Sequence, residues 1–292
     1  MGPLLFIIYL NDITNINLHS KLIIYSDDVA LVHSHDNKDQ LKSEIEGDLN
    51  NLSSFFISND LSPNNSKPKK MFFTRSKNNT MHISFNNLPV EEVDEFTYLG
   101  LVIDKELKFK THILKLSSKI NSANYLLSSL KFLLPEFVLI KLYYSMVHSH
   151  LNNHILAWGG TNNISLQPLK VSVNNSMRLI CYHPLDTSNK YSKHKILTIP
   201  EIYQLKCAEF LYKTINLNKP ILLEDILPEI YFNHQHDTRN SRLRQPILRT
   251  EFNRRFFISN AVNFWNQLPE SIRNSDVTLH TFKNTIKKYF FP

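Results

Sequence analysis

The stretch IIYSDDVALV, residues 23–32, places two acidic residues between two apolar runs. Residues 23–25 and 29–32 have the composition of short buried strands, which predicts a tight hairpin with Asp27 and Asp28 at its tip. An ionised carboxylate in that position needs solvent or a cation to compensate its charge. Adjacent carboxylates on rigid strands supply the oxygen ligands that Mg²⁺ prefers. A structural interpretation competes, because acidic residues are common in turns that bind nothing.

The composition is that of a globular protein that is not secreted. Apolar residues make up 42% of the 292 residues, which excludes a disordered chain. The two cysteines, Cys181 and Cys207, are too few for a disulfide framework. The apolar residues 2–10 lack a basic flank and are too short to span a bilayer. We therefore expect an intracellular protein of the cytoplasm and nucleus, with no membrane partner.

The chain is basic, and its arginines concentrate near the C-terminal end. Lys and Arg number 33 against 26 Asp and Glu, which gives a formal charge of +7. Between residues 239 and 255 a single acid, Glu251, accompanies six arginines: Arg239, Arg242, Arg244, Arg249, Arg254 and Arg255. This cluster fits a polyanionic partner and a solvated basic face equally well on charge alone.

The first third of the chain has a mixed pattern of helix and strand. Residues 3–12 have the pattern of the end of a buried helix. Asp36 is a candidate N-cap for a helix that carries apolar residues on one face from Leu41 to Phe56. Further strands are predicted at residues 70–76, 81–85 and 96–104, with a turn at Asn86 and Asn87.

The remainder of the chain is predicted to be helical. From residue 107 an apolar stripe at helical spacing continues to Leu130, and a second helical stretch leads to Trp158. Gly159 and Gly160 mark a candidate boundary. Later helices are predicted around residues 165–180, 200–215, 255–266 and 278–290.

Four segments follow one another in the order and spacing of a known family: GPLLFIIYLNDI (2–13), IIYSDD (23–28), NDLSPNNSK (59–67) and EFTYLGLVID (95–104). They resemble the reverse transcriptases of jockey-like non-LTR retrotransposons. The later segments HILAWGG, NNSMRLI, HKILTIPE, HQHDTRNS and NAVNFWNQLPESIRNS resemble the C-terminal part of the same open reading frames. Each motif alone is common, and the ordered set carries the resemblance.

The resemblance implies an α+β fold with three parts. Residues 1–105 would form a partial palm with the catalytic hairpin and primer-grip-like strands. Residues 106–160 would form thumb-like helices, and residues 161–292 a basic, mostly helical C-terminal domain. The implied function is RNA-directed DNA synthesis, in which two Mg²⁺ ions, with Mn²⁺ as an alternative, clamp the attacking and leaving oxygens. The implied partners are an RNA template, a DNA primer and a deoxynucleotide.

The resemblance also implies roles for particular residues. Asp27 and Asp28 match the catalytic, metal-binding pair, with Ser26 where the family usually has Ala. Tyr25 would lie beside the primer terminus. Lys67 matches the lysine of the family's Asn-x-x-Lys-Thr motif, near the nucleotide phosphates, although Pro68 replaces the Thr and an exposed loop lysine is nearly as good an interpretation.

A second hairpin and the arginine cluster complete the implied site. Tyr98, Leu99 and Gly100 resemble the hairpin that grips the primer strand, where glycine permits close approach of a backbone. A plain buried strand is the alternative. The arginines would follow the phosphate backbone of the template–primer duplex.

Parts of the family's polymerase have no counterpart in this sequence. The endonuclease, the fingers and the palm strand with a third aspartate are all missing, so we expect the chain to be inactive alone. Two rival functions are a non-catalytic nucleic-acid-binding remnant and an unrelated helical scaffold with an Asp-Asp turn. A zinc site formed by Cys181, His183, His194 and Cys207 is disfavoured, because their spacing fits no compact zinc motif.

Overall fold

The chain folds into two compact units, and the predicted α+β fold class is confirmed. The structure, a computed structural model, describes residues 2–64, 67–74, 81–181, 187–217, 243–245, 256–273 and 277–291. The N-terminal unit comprises Met1–Thr97 and Asp104–Glu106, and the helical unit comprises Tyr98–Ile103 and Leu107–Pro292. No described helix is long and apolar enough to cross a membrane. The predicted domain boundaries at 105 and 160 stay predictions.

The N-terminal unit begins with a helix that exposes its apolar side chains. Helix α1 (Gly2–Leu10) leads into a 3₁₀ turn at Asn11–Asn15. Four of its apolar residues are 57–65% exposed: Leu4, Leu5, Ile7 and Ile8. The predicted helix is confirmed, and its predicted burial is wrong. The helix is apolar around its whole circumference, and the described residues of this unit cover only part of that surface.

A β-hairpin and a long helix follow. Strands β1 (Lys21–Tyr25) and β2 (Asp28–Val32) pair antiparallel, as predicted. Their predicted burial is wrong, because every residue of both strands is half-buried or exposed. Helix α2 (Lys38–Ser58) begins after Asn37, whose side-chain oxygen accepts hydrogen bonds from the backbone N–H groups of Asp39 and Gln40. The predicted cap, Asp36, is therefore wrong by one residue.

Very short strands follow α2. In the N-terminal unit these are β3 (Lys69–Lys70), β4 (Ser84–Phe85), β5 (Leu88–Pro89), β6 (Glu91–Glu92) and most of β7 (Glu95–Tyr98). Strand β8 (Leu101–Asp104) lies mostly in the helical unit. Strand β3 pairs parallel with β6, and β4 pairs antiparallel with β5 around the predicted turn at Asn86 and Asn87. The strand predicted at 70–76 is not formed beyond Lys70 in the described residues to 74. The strand predicted at 96–104 is a hairpin, because positive φ angles at Leu99 and Gly100 reverse the chain.

The helical unit contains the main core. Its elements are α3 (Lys110–Leu130), α4 (Glu136–Tyr143), a π-helical turn (Tyr144–His148), α5 (Ser149–Asn152), α6 (Ile155–Trp158), α7 (Asn163–Ile180), α8 (Thr187–Lys193), α9 (Ile199–Leu217), α10 (Phe257–Gln267), α11 (Glu270–Arg273) and α12 (Leu279–Phe290). The predicted helices are confirmed, and the predicted stripe from Ile113 to Leu127 is buried. This unit includes both the predicted thumb-like segment and the predicted C-terminal domain.

Two packing arrangements organise this core. Helices α3 and α7 lie side by side and share buried hydrogen bonds, including Ser117 to Ser172 at 2.7 Å and Ser176 to Asn124 at 2.6 Å. Helix α9 packs against α6, α10 and α12. Trp158 is fully buried, and its indole N–H donates to the carbonyl of Asn153 at 2.9 Å.

Candidate functional site

The paired aspartates lie at the turn of the first hairpin. Tyr25 and Asp28 face each other across the strands, which leaves Ser26 and Asp27 as the two turn residues. Both carboxylate side chains are exposed to solvent. The predicted position of Asp27 and Asp28 at the tip of a tight antiparallel hairpin is confirmed. The apolar strands hold both side chains at a fixed, open edge of the N-terminal unit.

The turn has an unusual backbone for its sequence. Ser26 has a φ of +55°, whereas Asp27 is not among the residues with positive φ. This left-handed region favours glycine, and a side chain there costs conformational energy. Strained residues are concentrated at functional sites, so the strain at Ser26 supports a functional interpretation of the hairpin.

The two faces of the hairpin differ in their environment. Leu22 and Ile24 line a cavity of about 430 Å³ together with residues of the preceding segment. Residues directly opposite in an antiparallel pair share a face, so Tyr25 and Asp28 lie on the other face with Ile23. On that face Tyr25 and Ile23 are exposed. Asp28 therefore adjoins an uncovered, partly apolar surface.

Helix α2 holds the hairpin at the start of its first strand. The Asp48 side chain is fully buried and accepts hydrogen bonds from the backbone N–H groups of His19, at 2.9 Å, and Ser20, at 2.7 Å. Burial raises the pKa of Asp48, but the hydrogen bonds from Ser20 and His19 outweigh it and leave the pKa below its ordinary value. This ionised side chain fixes the segment that enters β1.

A second contact holds the other end of the hairpin. The ring nitrogen Nε2 of His33, which follows β2, lies 2.5 Å from the carboxylate of Glu44. This hydrogen bond lowers the pKa of Glu44. Sequence reasoning missed Asp48 and Glu44 as supports of the site. Their spacing of four residues on one helix face was the available signal, together with the histidines that flank the hairpin.

The predicted nucleotide-binding lysine lies on the same unit. Lys67 is exposed, and its backbone N–H donates to the carbonyl of Asn64 at 3.1 Å. An exposed position agrees both with a nucleotide-binding lysine and with an ordinary loop lysine. Its role near nucleotide phosphates stays a prediction.

The predicted primer-grip residues form the turn between β7 and β8. Tyr98 ends β7, and Leu99 and Gly100 have φ angles of +48° and +86°. A Cβ atom added at Gly100 would meet no atom within 4 Å, and the residue is exposed. The backbone at Gly100 is therefore accessible to a partner, while the role of Tyr98 and Leu99 stays a prediction.

The arginine cluster is described at one position only. Arg244 is exposed between Leu243 and Gln245. The neighbouring Leu243 is fixed to α10, because its N–H donates to the side chain of Asn266 at 2.9 Å and its carbonyl accepts from the same side chain at 2.8 Å. The other five arginines lie outside the described residues: Arg239, Arg242, Arg249, Arg254 and Arg255.

The donor atoms of the aspartate pair fit Mg²⁺ in type but not in number. Asp27 and Asp28 supply hard carboxylate oxygens, which suit Mg²⁺ or Mn²⁺. Within the described ranges, no histidine, cysteine or other acidic side chain joins this pair to make a group of three ligands. The described residues can therefore supply part of the ligand shell that two metal ions require.

No protein-family model, curated protein or solved structure matches this chain. Its function is therefore inferred from its own residues.

Proposed function

We propose that the chain contributes the catalytic hairpin of an RNA-directed DNA polymerase, together with helices that bind the template–primer duplex. The observation that carries this proposal is the pair Asp27 and Asp28, exposed at a tight hairpin turn with strained backbone at Ser26. The four ordered N-terminal segments support it, because the pair occurs at the expected place among them.

Each proposed role follows from the chemistry of the side chain. Asp27 and Asp28 would hold Mg²⁺ or Mn²⁺, which would supply charge stabilisation for transfer of a nucleotide onto a DNA primer. Tyr25 shares a face with Asp28 and contacts the primer terminus. Lys67 binds the phosphates of the deoxynucleotide as a point charge. The turn formed by Tyr98, Leu99 and Gly100 contacts the primer strand.

This chain alone is proposed to be catalytically incomplete. The aspartate pair lacks a third ligand among the described residues. The exposed apolar side chains of α1, and of Ile23 and Tyr25 on the hairpin, form surface that a complete palm would bury. We propose that a further polypeptide segment with its own carboxylate covers this surface. A non-catalytic role in binding nucleic acid is the second candidate, and the missing third ligand favours it for the isolated chain.

Titration with Mn²⁺ tests the proposed metal site. Electron paramagnetic resonance measures free Mn²⁺, so the bound amount can be compared between the wild type and a variant carrying Asp27→Asn and Asp28→Asn. A control with Asp36→Asn and Asp60→Asn removes the same charge from exposed positions of the same unit. We expect the control to bind as the wild type does and the paired variant to lose binding. Equal binding by all three proteins would contradict the proposed site.

Primer extension tests the proposed incompleteness. The wild-type chain with Mg²⁺, an RNA template and a DNA primer is expected to bind the duplex and to extend nothing. Extension that disappears in Asp27→Asn would show that the chain completes the site itself. Failure to bind both Mn²⁺ and the duplex would favour the scaffold interpretation.

A further inference from the structure

Three potential metal ligands from distant parts of the sequence meet in the helical unit. Glu136 is the first residue of α4, Cys181 directly follows α7, and His194 directly follows α8. One ligand atom of each lies within 4.8 Å of the others. The site has no part in the proposed polymerase chemistry.

The polar atoms of this cluster are buried and poorly satisfied. Cys181 is 4% exposed, and the side chains of His194 and Glu136 are 11% and 28% exposed. The His194 Nε2 and Glu136 Oε1 atoms lie 2.6 Å apart, yet neither makes a hydrogen bond of acceptable geometry. The two atoms face each other as an ion pair, and a metal ion between them would bond to both.

The donor set is typical of one class of metal. A thiolate, an imidazole and a carboxylate together favour Zn²⁺ over the hard ions Mg²⁺ and Ca²⁺. Tetrahedral zinc with bonds of about 2.0–2.3 Å places its ligand atoms roughly 3.3–3.7 Å apart. The Glu136 and His194 ligand atoms, now 2.6 Å apart, would separate by less than about 1 Å to reach this spacing. The Cys181 sulfur lies within 4.8 Å of both, so an approach of about 1 Å or less brings it to the same spacing.

The Glu136 carboxylate of the cluster already has a cation beside it. The Lys193 ammonium nitrogen lies 3.7 Å from the Glu136 oxygen and is 41% exposed, so it can move into solvent. A divalent ion would neutralise the carboxylate more effectively and would hold the sulfur as thiolate.

We propose that Glu136, Cys181 and His194 bind a Zn²⁺ ion in the helical unit, with the fourth position open to water. The ion links the start of α4 to the residues that follow α7 and α8. The disfavoured zinc interpretation of the sequence had two of these ligands, Cys181 and His194. The third, Glu136, lies 45 residues before Cys181. Cys207 is not part of the cluster, and His183 lies outside the described residues.

Cobalt substitution provides the test, because Co²⁺ occupies zinc sites and shows a thiolate charge-transfer band in the near ultraviolet. Full-length protein stripped with a chelator is titrated with Co²⁺ and then with Zn²⁺. We expect the band in the wild type and its loss when Zn²⁺ displaces Co²⁺. Cys207→Ala is the matched control, since Cys207 is also buried and should leave the band unchanged. Cys181→Ala should abolish the band.

Glu136→Gln provides a second measurement that does not alter the buried thiol. This near-isosteric change should weaken Zn²⁺ affinity by at least roughly 100-fold, judged from the effects of weaker, outer-shell changes at zinc sites. It should also remove the rise in melting temperature that Zn²⁺ gives the wild type. Absence of the band in the wild type, its persistence in Cys181→Ala, or unchanged affinity in Glu136→Gln would overturn the proposal. The cluster would then be an ion pair beside a packed thiol.

Discussion

The carboxylate of Glu209 on α9 lies 3.2 Å from the ammonium nitrogen of Lys283 on α12. Two lysines of α9 contact the same carboxylate, Lys206 at 3.1 Å and Lys213 at 3.0 Å. The Glu209 side chain is only 8% exposed. Burial alone would raise its pKa, and the three ammonium groups overcome that effect and lower the pKa to about 2. The buried carboxylate of Glu209 therefore links α9 to α12 through its ion pair with Lys283.

This ion cluster predicts a particular dependence of stability on pH. Because the folded pKa lies below the ordinary value of 4.5, Glu209 stabilises the folded state above about pH 4.5. That contribution is lost as the pH falls from 4.5 towards 2. Glu209→Gln should lower the free energy of unfolding by about 1.5–3 kcal/mol at pH 7 and by less at pH 3. Urea denaturation followed by tryptophan fluorescence measures this, since Trp158 and Trp265 both lie in the helical unit.

A loss of equal size at pH 7 and pH 3 would show that packing, not charge, explains the effect of Glu209→Gln. Glu46→Gln, on α2 of the N-terminal unit, provides the control for a general change in charge. It should leave the fluorescence transition of the helical unit unchanged at both pH values.

The positive φ of Ser26 predicts that replacing this residue by glycine stabilises the protein, whereas Glu209→Gln destabilises it. Ser26→Gly should stabilise the hairpin by up to about 1 kcal/mol, because relief of left-handed strain exceeds the entropic cost of glycine. Hydrogen exchange of the β1 and β2 amides measures the change locally. Ser34→Gly is the control, since Ser34 is exposed and is not among the residues with positive φ. Faster exchange in Ser26→Gly than in the wild type would contradict the strained turn.

Replacement of glycine by alanine is expected to have opposite effects on stability at Gly159 and at Gly47. A Cβ atom at Gly159 would lie 2.5 Å from a ring carbon of Tyr203 and 2.6 Å from the carbonyl oxygen of Ile155. Gly159→Ala should therefore destabilise the helical unit by about 1–3 kcal/mol. Tryptophan fluorescence in urea measures this loss. A transition as stable as that of the wild type would show that Tyr203 moves away without cost.

Gly47 is the matched control for that substitution. It lies within α2, where an added Cβ would meet nothing within 4 Å. Gly47→Ala should stabilise α2 by about 0.5–1 kcal/mol, because alanine has the higher helix propensity. Slower hydrogen exchange in α2 is the expected result. Faster exchange would mean that the added methyl group clashes with a neighbouring atom, which the structure does not show.

Local pattern was sufficient to predict most elements of this fold. The two apolar runs that flank Asp27 and Asp28 predicted the hairpin, and the stripe from Ile113 to Leu127 predicted α3 with its buried face. These signals are local, since a hairpin and an amphipathic helix are each specified within about twenty residues.

Features that depend on distant contacts could not be predicted in this way. Gly159 was interpreted as part of a boundary, whereas the structure shows a close approach to Tyr203 on α9. Glu136 was not considered with Cys181 and His194, because only folding brings them together. The exposure of α1 was also not predicted. An apolar helix is expected to be buried, but its sequence does not show which residues would pack against it.

The arginine cluster predicts a salt-dependent interaction with nucleic acid. Arg244 is exposed, and arginine remains charged at any working pH and binds phosphate oxygens in pairs. Each phosphate contact on DNA contributes about −0.9 to the slope of log affinity against log salt. Changing Arg242, Arg244 and Arg249 together to Ala should flatten that slope by roughly two to three units. Fluorescence anisotropy on an RNA–DNA hybrid, from low to moderate salt, measures it.

A control with the same loss of charge separates phosphate contacts from general electrostatic attraction. Lys141→Ala, Lys287→Ala and Lys288→Ala together remove three exposed cations of the same unit. If the arginines contact phosphates, the lysine variant keeps most of the wild-type slope, and the arginine variant weakens all sequences alike because phosphate contacts do not read bases. If both variants flatten the slope equally, net charge alone explains the binding. If the arginine variant stays folded and keeps the wild-type slope and affinity, the cluster does not bind nucleic acid.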